Sequence, residues 1–169
     1  MKTNEISLSS PIEEKIAWAQ HRYENFREQL IHEKFVVDYL TNLECSVQAS
    51  YKEMREVGIL EICRVCEKNE GGSCCGKGLE NKYDGWLLLI NLLLNVQLPK
   101  KRHDRRSCFF LGDTGCLLKA RHVICVNYLC NQVTKQLNPH KLSALREKEG
   151  EELKILFLLQ ERLKRVLRA

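Results

Sequence analysis

Eight of the chain's nine cysteines fall between Cys63 and Cys130, and thiolate is a soft ligand suited to zinc and to iron–sulfur clusters. They come in two groups. The first is Cys63-x2-Cys66-x7-Cys74-Cys75, within CRVCEKNEGGSCCG. The second is Cys108-x7-Cys116-x8-Cys125-x4-Cys130, within CFFLGDTGCLLKARHVICVNYLC. A C-x2-C pair can set two sulfurs on one metal, because the turn between them folds back. The glycines at 71, 72, 76 and 78 let the backbone pass close to a centre and aim N–H groups at sulfur. Such hydrogen bonds tune an iron–sulfur cluster. Cys74 and Cys75 are neighbours, and successive side chains of an extended chain point apart. They suit two different metals, or one ligand backed by a thiol that does not bind. In the second group, Gly112-Asp113-Thr114-Gly115 between two short apolar runs predicts a hairpin that brings Cys108 and Cys116 together. Cys125 and Cys130 can share one face of a helical turn or short loop.

A lone cysteine is most often a small buried hydrophobe. Eight in so short a span point instead to metal ligands: Cys63, Cys66, Cys74, Cys75, Cys108, Cys116, Cys125 and Cys130. Cys45 stands apart on a helical stripe, off its apolar face, and is not expected to bind. The N-terminus, MKTNEISLSSPIEEK, has no apolar core of a secretion signal, so a cytoplasmic location with reduced thiols is expected. An odd cysteine count also suits metal better than a fully paired disulfide scaffold. A thioredoxin-like redox pair would want a strand before Cys63, and the residues from Met54 to Ile62 read as helical. His122-x2-Cys125 and His103-x4-Cys108 have spacings that zinc sites use, but either histidine is more often an exposed polar residue. Many cysteines and few histidines tilt the expected cofactor toward a four-iron, four-sulfur (4Fe-4S) cluster, with zinc as the alternative.

Cys63, Cys66, the Cys74-Cys75 pair, Cys108-Phe109-Phe110-Leu111, Gly115-Cys116, Arg121, Cys125, Tyr128 and Cys130 carry a resemblance. The segment 63–130 resembles the zinc- or iron-chelating cysteine-cluster family, the CxxCxxCC or YkgJ-like group. Two features depart from that pattern. The gap from Cys66 to the CC pair is longer than the family's usual two residues, and His122 stands where the family usually has proline. The resemblance implies a metal centre, often inferred to be iron–sulfur, and some members are linked to lysine methylation of flagellin.

The elements that must position these cysteines are helical. Ile12, Ile16, Ala19, Tyr23, Phe26 and Leu30 recur at helical spacing, with Ser9 or Ser10 as cap and Pro11 at the first helical position. A second stripe, Val36, Leu40, Leu43, Val47 and Met54, runs to a stop at Gly58. No glycine or proline separates the stripes, so one bent helix and two helices fit equally. Asp84 caps an apolar helix expected over 84–98, and residues 63–82 show no periodicity. Asn138-Pro139 opens a final helix whose stripe is Leu142, Leu145, Leu153, Leu156, Leu159, Leu163 and Val166, with Gly150 a weak point. The expected fold is all-α: two amphipathic arms, 11–57 and 138–168, around the cysteine-rich metal-binding insert 63–130 with its one short β-hairpin. At 169 residues one domain suffices, and a chain of this length buries about 70% of its unfolded surface without needing crosslinks.

The stretch from Trp86 to Leu98 is broken by Asn91, Asn95 and Gln97 and is too short for a membrane span of about 20 residues. No membrane association is therefore expected. Net charge is +5, and the basic run 99–106 lacks the aromatics of a nucleic-acid surface. It reads as a solvated loop, and nucleic acid is not an expected partner. The long helical arms offer surfaces for a protein partner or for a second copy of the chain. No Ser–His–Asp arrangement, carboxylate pair or phosphate loop stands out. The leading expectation is metal binding with a structural or redox role. The competing ones are a cluster-containing enzyme acting on a protein or small molecule, and a zinc-stabilised adaptor for nucleic acid or protein.

Overall fold

The computed structural model describes residues 6–70 and 74–168; Gly71 and Gly72, two of the glycines expected near a metal, lie outside the described residues. The protein is mostly helical with one short antiparallel hairpin, as its periodicities predict. Helices α1 (Ile12–His32), α2 (Lys34–Glu56) and α3 (Ile59–Glu70) come first. A 3-10 turn (Leu79–Lys82) leads into α4 (Gly85–Leu93), and the hairpin pairs β1 (Leu111–Gly112) with β2 (Gly115–Cys116). Two short helices, α5 (Val123–Asn127) and α6 (Asn131–Gln136), precede the long α7 (Pro139–Arg168). The arms meet where α2 packs along α7, while α1 lies against α4.

The first arm is two helices. Glu33 drops into extended backbone (φ −81°, ψ 111°), and its carboxylate accepts the Val36 N–H at 2.7 Å, which caps α2. The other carboxylate oxygen accepts from Arg162 on α7, so the break is pinned from across the bundle. At the start of α1 the expected serine cap does not form. Pro11 holds the cap position, and its carbonyl accepts from the Glu14 and Lys15 N–H groups. Asp84 caps α4 as expected, accepting from Leu87 N–H at 2.7 Å. That helix ends at Leu93 and not near 98, because Asn95 turns left-handed (φ 61°), a conformation asparagine tolerates better than most residues. Gly150 does not interrupt α7, whose buried Leu145 and Leu156 hold it on either side.

Helix α4 is the centre of the core, with Leu88, Leu89 and Ile90 fully buried. It begins on a glycine for a steric reason: a Cβ on Gly85 would sit 2.4 Å from the Trp18 ring. Trp18 in turn meets Trp86 edge-on, with ring centroids 5.0 Å apart. Asn91, which interrupts the apolar run in sequence, is fully buried and fully used. Its amide N–H groups donate to Leu87 and Ala120 carbonyls at 2.9 and 2.8 Å, and its Oδ1 accepts from the Lys119 and Ala120 N–H groups at 2.9 and 3.0 Å. One side chain thereby fixes the strand leaving β2 to the central helix.

Replacing Asn91 by Leu keeps the volume but strands the Lys119 and Ala120 N–H groups and the Ala120 carbonyl in the core. At ~1–3 kcal/mol for each buried orphan, the variant should lose about 3 kcal/mol or more. The denaturation midpoint measures this under matched metal conditions; a loss below about 0.5 kcal/mol, the scale of an inert surface change, would contradict it.

Candidate metal centre

The first cysteine pair sits on a helix and not in a turn. Cys63 and Cys66 are three residues apart on α3, a spacing that puts both thiols on one face. The aperiodic stretch therefore begins after Glu70, not at Cys63. The following cysteines reach the second group through a short backbone zipper that nothing in the sequence pattern signals. Gly76 forms an antiparallel bridge with Ser107, Cys108 N–H donates to the Cys75 carbonyl at 2.6 Å, and Lys77 N–H donates to the Arg106 carbonyl at 2.8 Å.

The hairpin forms where expected, with Leu111 opposite Cys116 and Gly112 opposite Gly115. Gly115 has φ +121°, a region closed to residues with a side chain at little cost, so the turn depends on it. Cys108 is not on the first strand. It lies three residues before β1, where its carbonyl accepts the Leu111 N–H. Cys116 is on β2, Cys125 on α5, and Cys130 immediately before α6. Cys125 thus lies within one short helix and Cys130 in the extended residue before the next, so the two do not share a helical turn. Cys45 is exposed on α2.

A cavity of about 110 Å³ opens between these segments, lined by Cys74, Cys75, Cys108, Cys116 and Cys125 together with Leu79, Phe110 and Ile124. About 10–15 Å³ of such volume admits one water, so this space takes a group of several atoms. Backbone N–H groups beside two of its sulfurs, Phe110's beside Cys108 and Leu118's beside Cys116, draw those thiols toward thiolate. The Tyr83 hydroxyl donates to Cys125 Sγ at 3.5 Å and accepts the His122 N–H at 3.2 Å. Burial keeps Tyr83 protonated and therefore a donor. Donors aimed at sulfur favour thiolate over thiol. Burial opposes them: it pushes the Cys108 thiol up to about 12 and Cys116 to about 11, so both are neutral until a metal displaces their protons. No group of three or more His, Cys, Asp or Glu side chains among the described residues is arranged to hold an ion as it stands.

Neither histidine considered as a ligand faces the cavity. His103 pairs with Asp113 at 2.7 Å, and His122 caps α5 by accepting the Ile124 N–H at 3.2 Å. The basic run 99–106 is only partly a solvated loop, because Arg102 folds inward. It donates to the buried Glu80 carboxylate and to the Ser107 carbonyl. Glu80 also accepts N–H groups from Gly78 at 2.9 Å and Phe109 at 3.4 Å, so one carboxylate ties both cysteine segments together.

Arg121 is the cation of the cavity wall. It is 6% exposed, lies 4.4 Å over the Tyr51 ring, and faces Glu149 and Glu152, both fully buried on α7. Burial pushes both carboxyl groups up; Arg146 and then Arg121 pull Glu149 back, and Arg121 also pulls on Glu152. Sequence periodicity contained a signal for this group. Leu145, Glu149, Glu152, Leu156, Leu159 and Leu163 keep one helical phase, so two glutamates occupy core positions.

Compared with family models, with curated proteins and with solved structures, the chain has no match in any of the three. Its chemistry therefore has to be read from the site. No helix among the described residues is long and apolar enough to cross a membrane.

Burial alone would push Glu80 up, but the Arg102 guanidinium and the Gly78 N–H outweigh it and hold the carboxyl below its ordinary 4.5. A carboxyl depressed on folding contributes stability above its unfolded value and loses it as pH falls through the folded one. Acid should therefore loosen the cysteine segments of the wild type, and Glu80→Gln should already be loosened at neutral pH and show a flatter stability profile below pH 4.5. Unfolding curves across that range check this; parallel profiles would refute it.

Proposed function

We propose that this is a metal-binding protein whose clustered cysteines hold a thiolate-ligated centre, an iron–sulfur cluster in preference to zinc alone, in a structural or redox role. The ligands are Cys63, Cys66, Cys74, Cys75, Cys108, Cys116, Cys125 and Cys130. The observation that carries the reading is the cavity that gathers Cys74, Cys75, Cys108, Cys116 and Cys125, with the Tyr83 hydroxyl donating to Cys125 Sγ at 3.5 Å. Disulfide scaffolds have no use for such a donor, whereas metal-bound thiolates gain from it. The space supports a polyatomic group, and the apolar Leu79, Phe110 and Ile124 in its wall shield it from water. The likeness of 63–130 to the CxxCxxCC, YkgJ-like pattern agrees. When bound, the group supplies either a one-electron redox couple or a crosslink between segments that have little core of their own. Tyr83, Glu80 and the Gly76–Ser107 bridge would hold the ligand segments in register around it.

Protein purified without oxygen should be brown and contain iron and acid-labile sulfide. Zinc in stoichiometric amount without sulfide would overturn the iron–sulfur choice and leave metal binding standing. Nine freely reactive thiols and no bound metal would overturn both. On metal removal, hydrogen exchange should accelerate in 74–82 and 107–130 while α1, α2 and α7 keep their protection, since α2 packs chiefly along α7 and α1 chiefly along α4. Unchanged exchange in 107–130 would count against a metal that orders the insert.

Cys45 supplies a control. It is exposed on α2, away from the cavity lining, so Cys45→Ser should keep its full metal content while Cys66→Ser loses metal. Equal losses from the two variants would remove the distinction on which the ligand set rests.

A further inference from the structure

The eight cysteines separate into two sets by what they pack against. Cys75, Cys108, Cys116 and Cys125 all belong to the main core around α4, and all four line the cavity. Cys130 belongs elsewhere. It packs on a second, smaller apolar cluster of Val57, Ile59, Val133 and Leu145, at the contact between α3 and α6. Cys63 and Cys66 stand on α3 at the same place. The thiol fields agree with this grouping. After burial, Cys63 feels Cys74 most, then Cys130 and Cys66, with Cys75 last. Cys74 in turn feels Cys130 and Cys66. On the other side, Cys116 is near Cys75 and Cys125, and Cys108 is near Cys116 and Cys75.

The adjacent pair is the boundary. Cys75 is held to the inner side because its carbonyl accepts the Cys108 N–H at 2.6 Å. Cys74 touches the cavity wall but is exposed, and its thiol neighbours are those of α3 and α6. One peptide unit here turns its two thiols to different neighbours, Cys75 to the main core and Cys74 to Cys130 and Cys66.

We propose that the cysteines form two separate four-thiolate centres, Cys75, Cys108, Cys116 and Cys125 within the core and Cys63, Cys66, Cys74 and Cys130 at the surface, the surface one a site for a single thiophilic divalent cation of the zinc class. This rests on the metal-binding reading above and divides its ligand set. Four thiolates in tetrahedral array are a common structural zinc site, and each thiol gives up its proton to the solvent as the ion binds. The two centres differ in access. Cys63 and Cys74 are exposed and Cys66 and Cys130 half-buried, whereas Cys108 is buried and its three partners are half-buried. The surface centre therefore exchanges its ion first.

The test uses the full-length protein, purified without oxygen and analysed for metal and sulfide per chain. It is then treated with the chromophoric chelator 4-(2-pyridylazo)resorcinol and pulse-labelled with iodoacetamide. Metal should leave in two phases. Peptide fragmentation, which resolves Cys74 from Cys75, should find Cys63, Cys66, Cys74 and Cys130 labelled with the fast phase and the other four still protected. Cys66→Ser and Cys130→Ser should abolish the fast phase and spare the slow one. A single phase that exposes all eight thiols together would overturn the division. So would metal confined to the inner set, or loss of both phases in Cys66→Ser with helical circular dichroism unchanged; in each of these cases bound metal remains in the wild type and metal binding stands. A wild-type protein that holds no metal would overturn the function itself. The labelling order is read on the wild type, so it does not depend on any variant folding.

Discussion

The buried amide of Asn91 is the constraint on which the rest of the structure depends. It sits on the one helix that other elements enclose, and it uses both N–H groups and two acceptor positions on backbone of another segment and its own helix. A polar group without partners at this depth would cost ~1–3 kcal/mol, so the segment 119–120 has one place to go. From there the chain must pass Arg121 into the cavity wall and start α5 at Val123, which carries Cys125 to Tyr83. The position of the last inner cysteine thus follows from a hydrogen-bond requirement in the core.

The other ligand segments are fixed by polar groups of the same kind. Glu80 collects Arg102 and the Gly78 and Phe109 N–H groups, joining the 3-10 turn to the loop before Cys108. Lys15, fully buried on α1, donates to the Leu8 and Asn81 carbonyls at 2.7 and 2.9 Å and anchors that turn from the other side. Across the bundle, Gln160 donates to Asp84 at 2.7 Å and Arg162 to Glu33, so α7 holds both the cap of α4 and the break between α1 and α2. The helical arms therefore act as a frame on which the cysteine segments pack, with Phe109, Phe110 and Leu118 joining the core around α4. A metal crosslink there would add to that burial, since structural ligation is worth on the order of 10 kcal/mol.

The electrostatics of the cavity match a negatively charged centre. Four thiolates on a divalent ion or on a cluster leave net negative charge, and Arg121 places a guanidinium in the wall beside Cys116. Arg121 Nε and both Glu152 oxygens have no hydrogen-bond partner among the described residues, and the two carboxyls on α7 are pushed toward their neutral forms by burial. A buried cation is expensive alone and becomes favourable once an anionic neighbour is present. Arg121, which packs on Tyr51 and lies 3.9 Å from Met54 Sδ, would therefore favour an anionic occupant of the cavity.

The sequence by itself determined the helical arms, the Asp84 and Asn138 caps and the hairpin turn. Each of these is set by neighbours a few residues apart, through apolar spacing, cap chemistry or a glycine that permits φ +121°. Tertiary structure alone decided which cysteines keep company. The Gly76–Ser107 bridge, the core place of Asn91 and the separation of Cys125 from Cys130 all join residues whose local patterns say nothing of one another. Glu149 and Glu152 keep the apolar phase of α7, but only the fold sets Arg121 against them. Spacing marks the thiols as candidate ligands because metal chemistry is local; it cannot say how they are grouped, because grouping is a matter of which buried polar atoms find partners across the fold.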